Sequence, residues 1–277
     1  MSKSVFTLSR RYPSGPRAFT WGRIISDALF LRPLALGLAM SSLLACAQVA
    51  PQNPCDSAPT EVHDPVESFN RDVFGFNQVL DGYVLKPVAR GYRALPDFVQ
   101  SGVHNFVSNF AEPKVLINDL LQGNVRRSGN TLARFTFNTT VGLLGFIDVA
   151  TPMGLAHHSA DFGQTFGVWG LANGPIVELP LLGTHNTRDT AGVLLSFLVD
   201  PFGSGNSDTV DAVSSAQGVG GVVDGRAEAL PLTDTLETRP DYYRALRDST
   251  AVRRAEKVAE GKTGAIGPEA PHACPLP

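Results

Sequence analysis

The sequence contains little cysteine, and its N-terminal apolar run is short. Three cysteines occur in 277 residues. The apolar run extends from about residue 33 to residue 44, which is about 12 residues, whereas a transmembrane helix needs about 20. This run therefore does not predict a membrane-spanning helix. It has the length of the apolar part of a secretory signal.

Several chemical signatures are also missing. The net charge is −3, and no cluster of lysine and arginine is long enough to indicate nucleic-acid binding. The sequence contains neither a Gly-x-Ser-x-Gly nor a His-Glu-x-x-His motif. His157, His158 and Asp161 offer metal-ligand atoms, but a solvated loop is the simpler interpretation of this group. We therefore predict no catalytic residues, no metal and no cofactor.

A lipoprotein signal ends at the first cysteine. Leu43–Cys46 closes the apolar run with small residues and a cysteine, and a basic leader precedes it. This pattern predicts a signal peptide over residues 1–45 and an acylated Cys46. The alternative is an ordinary secretory signal cut near Ala45 or Ala47. Alanine rather than aspartate follows the cysteine, which favours the outer membrane over retention at the inner membrane.

The remaining chain divides by composition. Residues 46–63 are rich in proline, alanine and polar residues, which predicts a flexible tether. We predict a helical domain over residues 64–257 and a disordered tail over residues 258–277. Cys55 and Cys274 lie near the two ends of the mature chain, and an exported compartment is oxidising. A disulfide between them is one possibility, and two free thiols are the other.

Apolar residues spaced by three and four predict four successive helices. The first begins near Asp64 and is broken or kinked at Pro87. The second ends before Pro113, the third precedes Gly123, and the fourth covers about residues 126–141. The apolar positions of the first two are Val66, Phe69, Val73, Phe76, Leu80 and Tyr83, followed by Val99, Val103, Phe106 and Phe110. In the fourth, Leu132, Phe135, Thr139 and Gly142 share one side.

Glycine and proline become frequent between residues 142 and 183, which predicts loops and short extended segments, with a hairpin as one possibility. Loop or short extended structure is predicted for residues 163–170 and 173–180. Further helices are predicted over residues 188–199 and within 233–257, with a partly irregular segment over 203–221. The fold class is therefore mostly all-α.

The segment 64–71, Asp-Pro-Val-Glu-Ser-Phe-Asn-Arg, resembles the opening motif of the VacJ/MlaA family of outer-membrane lipoproteins. Further fragments are similar to that family in the same order, up to about Val199. They include Asn105-Phe106, Asn109-Phe110, Glu112-Pro113, Leu121-Gln122-Gly123, Arg134-Phe135, Asn138-Thr139, Gly145 to Ala150, Gly174-Pro175 and Arg188-Asp189. Ile176 departs from the family, which usually has an aromatic there, and so does Thr184-His185-Asn186, which replaces a Pro-Ser turn.

The resemblance implies a ring-like arrangement of amphipathic helices in the inner leaflet of the outer membrane, on its periplasmic face, around a polar channel. It implies that phospholipid misplaced in the outer leaflet passes through this channel to a periplasmic phospholipid carrier, and that the protein docks on a trimeric porin. The alternatives are a periplasmic hydrolase of lipid or cell wall and a purely structural lipoprotein.

The resemblance and the helical pattern together predict two sets of functional residues. Membrane-facing positions on the helices are Phe69, Val73, Phe76, Leu80, Phe106 and Phe110. The alternative for each helix is that its apolar face packs a soluble core. The segment between Gly142 and Asp161 resembles the hairpin that lines and controls the passage in this family, and its apolar residues are Phe146, Ile147, Val149, Met153 and Leu155.

The predicted anchor can be tested directly. We expect Cys46→Ala to abolish acylation and to leave precursor or soluble protein, because the thiol is the acylated group. The measurement is mass analysis of the mature N-terminus together with membrane fractionation. An unmodified Cys46 in the mature wild-type protein would contradict the prediction.

Overall fold

The computed structural model describes residues 62–199 and 208–267, with side chains described from residue 212 onward in the second range. Most of these residues are helical, and two short strands form a small sheet, which confirms the mostly all-α prediction. The ring-like arrangement of the helices stays a prediction. The predicted signal peptide, the tether up to residue 61, and all three cysteines lie outside the described residues.

The first predicted helix continues through its proline. Helix α1 covers Glu67–Leu80, a π-helical turn covers Asp81–Leu85, and α2 covers Lys86–Arg93. A proline within a helix lacks the N–H for the usual bond, and its ring crowds the carbonyl four residues earlier. The wider turn before Pro87, in which the Lys86 N–H bonds to the Asp81 carbonyl, accommodates it without ending the helix.

The predicted break at Pro113 is wrong, because a single helix, α3, covers Asp97–Leu121. An interior proline costs about 3 kcal/mol. Here α3 packs against the following helix on both sides of the proline, since Asn109 and Asn118 are both buried. Tertiary packing offsets the local cost. The helix ends at Leu121, and Gly123, two residues further on, adopts a left-handed φ of 71°.

Helix α4 covers Val125–Thr140, within a residue of the predicted bounds. The Asn124 side chain accepts a hydrogen bond from the Arg127 backbone N–H and caps its first turn. A 3-10 turn follows at Thr151–Met153.

The segment 163–170, predicted as loop or extended, instead forms helix α5 at Phe162–Val168. Asp161 caps its N-terminus by accepting from the Gln164 N–H. The glycines that suggested a loop serve close packing instead. A Cβ at Gly163 would lie 2.6 Å from Asp189 Oδ1, and one at Gly167 would lie 2.7 Å from a Val258 methyl group.

The hairpin that was one possibility for the glycine- and proline-rich region is present at residues 176–186. Strand β1 at Ile176–Leu179 pairs antiparallel with β2 at Gly183–Asn186, with Leu179 opposite Gly183. The β1–β2 hairpin packs against α1. Helix α6 then covers Thr187–Leu198, as predicted to within a residue.

The last two helices extend further than predicted. Helix α7 covers Asp208–Leu236, so the described part of 203–221 is helical rather than irregular. Two of its glycines lie against α3, since a Cβ would approach a Val107 methyl group to 3.2 Å at Gly220 and to 3.3 Å at Gly221. Helix α8 covers Tyr242–Thr263, with Val258 and Ala259 buried, because it packs against α5. This helix extends six residues beyond the predicted domain boundary at residue 257.

None of the helices in the described ranges is both long enough and apolar enough to cross a membrane.

Candidate functional site

The interior of the described chain is unusually polar. The largest side chains with almost no exposed surface are all polar or charged. They are Arg127, Gln164, Glu112, Asn70, Asn109, Asn118, Thr131, Thr165 and Asp119. Soluble domains normally bury aliphatic and aromatic side chains, and they bury charges only in pairs. An apolar core cluster consists of Ala89, Ala227 and Leu230 and is small.

Large apolar side chains lie outside instead. On α1, Phe69 is 62% exposed and Phe76 is 57% exposed. At the end of α6, Phe197 and Leu198 are exposed to 66% and 78%. Single exposed apolar residues are ordinary, but a large apolar surface indicates contact with a partner or a membrane. Polar and charged residues therefore form much of the interior, while many large apolar side chains lie on the surface.

A polar seam of buried side chains joins α3 to α4. We define the α3–α4 seam as Glu112, Asp119, Arg127, Thr131, Arg134 and Asn138. In its lower half, Arg127 Nε lies 3.3 Å from Asp119 Oδ1, and the Thr131 hydroxyl donates to Asp119 Oδ2 at 2.7 Å. His158 Nε2 lies 2.9 Å from the same Oδ2. Burial lowers the pKa of Arg127, and the Asp119 carboxylate opposes this shift.

The upper half of the α3–α4 seam centres on Arg134. Its Nε donates to Glu112 Oε1 at 3.1 Å, and Nη2 donates to Asp148 Oδ2 at 3.2 Å. Nη1 donates to the Thr151 hydroxyl at 3.0 Å and to the Leu155 carbonyl. One guanidinium therefore connects two helices and the segment after α4.

Asn138 ties the same segment to α4. Its side-chain oxygen accepts from the backbone N–H groups of Val149 and Ala150 at 2.9 and 3.0 Å. Its Nδ2 donates to Asp148 Oδ1 at 3.2 Å. Asp148 in turn accepts from the Thr151 backbone N–H at 3.0 Å. These bonds fix the backbone of residues 148–151 against α4.

The electrostatics of Asp148 follow from this network. Burial raises its pKa, but hydrogen bonds from Thr151 and the charge of Arg134 outweigh burial and hold the pKa at about 2. The carboxylate therefore stays charged at neutral pH.

The residues predicted to line and control the passage differ in exposure. Phe146, Ile147 and Met153 are about half exposed, whereas Val149 and Leu155 are half-buried. The Phe146 ring lies 5.0 Å from the Phe106 ring, centroid to centroid. The segment from Val141 to Ile147 consists of turns rather than a β-hairpin, with Leu143, Leu144 and Gly145 at left-handed φ.

Gly142 does not act as an open hinge in this segment. A Cβ on Gly142 would lie 2.1 Å from the Ile147 carbonyl oxygen and 2.5 Å from the Asn138 carbonyl oxygen. Glycine is therefore required by close backbone packing.

The opening motif anchors the β1–β2 hairpin. Asn70 donates to Asp64 Oδ1 at 2.7 Å and accepts from the Glu178 backbone N–H at 3.0 Å. Asn77 donates to Glu178 Oε1 at 2.9 Å and accepts from the Leu181 N–H at 2.9 Å. Burial raises the pKa of Glu178 above its ordinary value. The two asparagines thus fix β1 along α1.

The histidines considered as metal ligands have separate partners. His157 Nδ1 lies 3.5 Å from Glu112 Oε1, and His158 contacts Asp119. Asp161 pairs with Arg254 on α8. Burial raises the Asp161 pKa, but the Arg254 hydrogen bond outweighs this effect and holds the pKa at about 2. These three residues do not form one site.

The family follows from comparison with known proteins. Residues 62–257 match the sequence model of the MlaA lipoprotein family. The chain belongs to the MlaA lipoprotein family. The resemblance seen in the ordered motifs is thereby confirmed.

Individual members of the MlaA family give the same result. The intermembrane phospholipid transport system lipoprotein MlaA of Escherichia coli is 33% identical over 246 residues, which cover 83% of this chain and 90% of that protein. An uncharacterized protein of Rickettsia felis is 37% identical over 206 residues, covering 72% and 78%. A solved structure described as the structural basis for maintenance of bacterial outer membrane lipid asymmetry has a TM-score of 0.59 and 32% identity, and it covers 70% of this chain and 98% of its own.

The residues predicted to face the membrane in this MlaA-family chain differ in exposure. Phe69 and Phe76 are exposed, and the other four positions are half-buried, namely Val73, Leu80, Phe106 and Phe110. On α4 the apolar side chain of Leu132 is exposed, whereas Arg127, Thr131 and Arg134 form the buried side. The α3–α4 seam was not predicted from the sequence. Its signal was the row of polar residues at positions 127, 131, 134 and 138 of α4, which repeats at helical spacing.

The α3–α4 seam predicts a pH dependence. Because the folded-state pKa of Asp148 is depressed, its contribution to stability is complete above the unfolded-state value of about 3.9 and is lost as the pH falls toward 2. We expect Asp148→Asn to lower the free energy of unfolding at pH 7 by about 1.5–3 kcal/mol, since it removes hydrogen bonds to a charged group. Denaturant titrations at several pH values measure this difference.

The difference between wild type and Asp148→Asn should shrink from about pH 5 downward and fall to a small remainder near pH 2. Asp72→Asn serves as the control, because Asp72 is an exposed aspartate on α1. A difference that stays constant from pH 7 to pH 2 would show that the Asp148 charge contributes nothing.

Proposed function

We propose that this chain is a lipid-anchored outer-membrane protein that removes misplaced phospholipid from the outer leaflet. The phospholipid passes through a channel to a periplasmic carrier, which maintains lipid asymmetry. The observation that carries the proposal is that charged residues such as Glu112 and Arg134 are buried while Phe69 and Phe76 of α1 are exposed. The family membership and the name of the Escherichia coli relative, an intermembrane phospholipid transport system lipoprotein, support the same activity.

The exposed apolar faces suit binding within a membrane leaflet. Amphipathic helices bind membranes in proportion to the apolar area they bury, and a single acyl chain gives only marginal binding. An acyl group on Cys46 and the apolar surface of α1 would together supply two attachments. Docking on a trimeric porin is a further part of the proposal, and it rests on the family resemblance.

The polar interior suits a phospholipid headgroup. Two buried polar atoms of the α3–α4 seam, Glu112 Oε2 and Arg127 Nη1, have no hydrogen-bond partner within the described residues. The same is true of Asn109 Oδ1, which lies on α3 beside the seam. Buried polar atoms normally bond to protein, water or a ligand. A polar path close to these atoms would lower the cost of moving a charged headgroup away from water. No bond of the phospholipid needs to break.

The segment with Phe146, Ile147, Val149, Met153 and Leu155 is proposed to control this path. Its two ends have different constraints. Residues 148–151 are bonded to Asn138 and Arg134, whereas Leu143 and Leu144 are exposed. Movement is therefore expected to be confined to the tip around Leu144, with the Asp148 end held against α4.

The activity itself is tested by deletion and complementation. We expect deletion to raise the amount of phospholipid in the outer leaflet. Expression of the wild-type chain should lower it again, and the phospholipid removed should keep its acyl chains intact. Lysophospholipid or free fatty acid released by the protein would indicate a hydrolase. An unchanged outer leaflet after deletion would indicate a structural lipoprotein.

Membrane contact of α1 predicts an effect of charge. In an unacylated Cys46→Ala background, we expect Phe69→Asp to weaken binding to phosphatidylethanolamine and phosphatidylglycerol vesicles at least about tenfold, because burial of one phenylalanine contributes roughly 1.5–3 kcal/mol. The measurement is vesicle flotation. Ser68→Asp is the control, since Ser68 is exposed on the neighbouring side of the same turn. Equal affinity of the two variants would contradict membrane contact at Phe69.

The gate is tested by restraint. We expect cysteines at Leu144 and Leu155, joined by a thiol crosslinker, to stop phospholipid clearance while folding and porin copurification persist. The protein also carries Cys55→Ser and Cys274→Ser, so that the crosslinker reacts only with the cysteines placed at positions 144 and 155. The uncrosslinked double variant is the control. Clearance at the wild-type rate after crosslinking would exclude a gating movement of this segment.

A further inference from the structure

A small polar cleft lies among α2, α3 and α7, away from the α3–α4 seam. Its volume is about 330 Å³, and its lining includes Tyr92, Gln100, His104, Asn105, Asp224 and Glu228. No step of the proposed lipid pathway uses this cleft. Its side chains come from two parts of the sequence, residues 92–105 and residues 224–231, which are more than 100 positions apart.

Three metal-ligand side chains converge in the cleft. His104 Nδ1 lies 2.9 Å from Asp224 Oδ2 and 3.2 Å from Glu228 Oε1. One donor atom from each residue lies within 4.8 Å of the others. Asp224 and Glu228 are four residues apart on α7 and so share a face, while His104 projects from α3.

We propose that His104, Asp224 and Glu228 bind a zinc ion that links α3 to α7. Zinc binds imidazole nitrogen and carboxylate oxygen at about 2.0–2.2 Å in tetrahedral geometry, which places neighbouring donors about 3.3–3.5 Å apart. The two separations from His104 Nδ1 are a few tenths of an ångström shorter. A small outward shift of His104, whose side chain is 42% exposed, opens the required space. The fourth position is then taken by water from the cleft.

The cleft also provides a second layer of contacts. The Tyr92 hydroxyl donates to Asp224 Oδ1 at 2.9 Å, which leaves Oδ2 directed toward His104. The Asp224 side chain is 10% exposed, so its orientation is well constrained. Such contacts orient metal-binding carboxylates and commonly change metal affinity 10- to 100-fold. Tyr92 is therefore a positioning residue.

The test is titration of the purified full chain with Co²⁺, whose visible absorption identifies a tetrahedral site, followed by competition with Zn²⁺. We expect one tetrahedral site in the wild type, and at least a tenfold loss of affinity in His104→Ala and in Glu228→Gln. Tyr92→Phe should weaken binding about 10- to 100-fold while retaining the same absorption bands. Helical circular dichroism checks that each variant is folded.

His157→Ala is the matched control, because the His157 side chain is 40% exposed and also faces a carboxylate. It should bind Co²⁺ as the wild type does. An absorption spectrum that is unchanged in His104→Ala overturns the proposal. A thiolate-to-cobalt band also overturns it, because the bound metal is then on a cysteine. A wild type without tetrahedral absorption leaves His104 as an ion-paired histidine and equally overturns the site.

Discussion

The polar interior of this chain depends on Arg134. A buried guanidinium must bond nearly all of its donors, because unpaired buried charge is very costly. Arg134 meets this requirement with Glu112 from α3, Asp148 and Thr151 from the following segment, and a backbone carbonyl. Each partner must keep its position for the others to remain bonded. The mutual arrangement of α3, α4 and residues 148–155 is thereby specified by hydrogen-bond geometry rather than by the shape of an apolar core.

This kind of interior differs from an ordinary core in what it permits. Apolar packing is non-directional, so a core tolerates exchange of one aliphatic residue for another. A polar seam is directional, and removal of one partner leaves another buried group unsatisfied. It also leaves the apolar side chains free to cover the outside, as Phe69, Phe76 and Phe197 do. The same helices can therefore have stable internal contacts and an apolar exterior suited to lipid.

The sequence predicted helix positions well where a cap or an apolar repeat defined them. The limits of α4 and α6 were predicted to within one or two residues, since Asn124 and Asn186 cap them. Prediction from the sequence failed where proline or glycine, which often ends a helix, lies inside one. Pro113 lies inside α3 because packing on both sides compensates the lost bond. Gly163 and Gly220, which suggested loops, lie in helices. A neighbouring helix leaves no room for a Cβ at Gly163, and a Cβ at Gly220 would crowd a methyl group of α3.

The direction of each amphipathic face is the harder question, and periodicity does not answer it. A helix with one apolar and one polar face gives the same repeat whether the apolar face points inward or outward. On α4 the usual assumption would bury Leu132 and expose Arg134, whereas the structure does the opposite. The deciding information lies in complementarity between distant positions, since each buried charge on α4 has its partner on α3 or in residues 148–158. The same limit applies to His104 and Asp224, which are 120 positions apart and meet only after α3 and α7 pack. Motif order could identify the family, because it is a property of the chain. The sites depend on contacts between helices, which no local pattern contains.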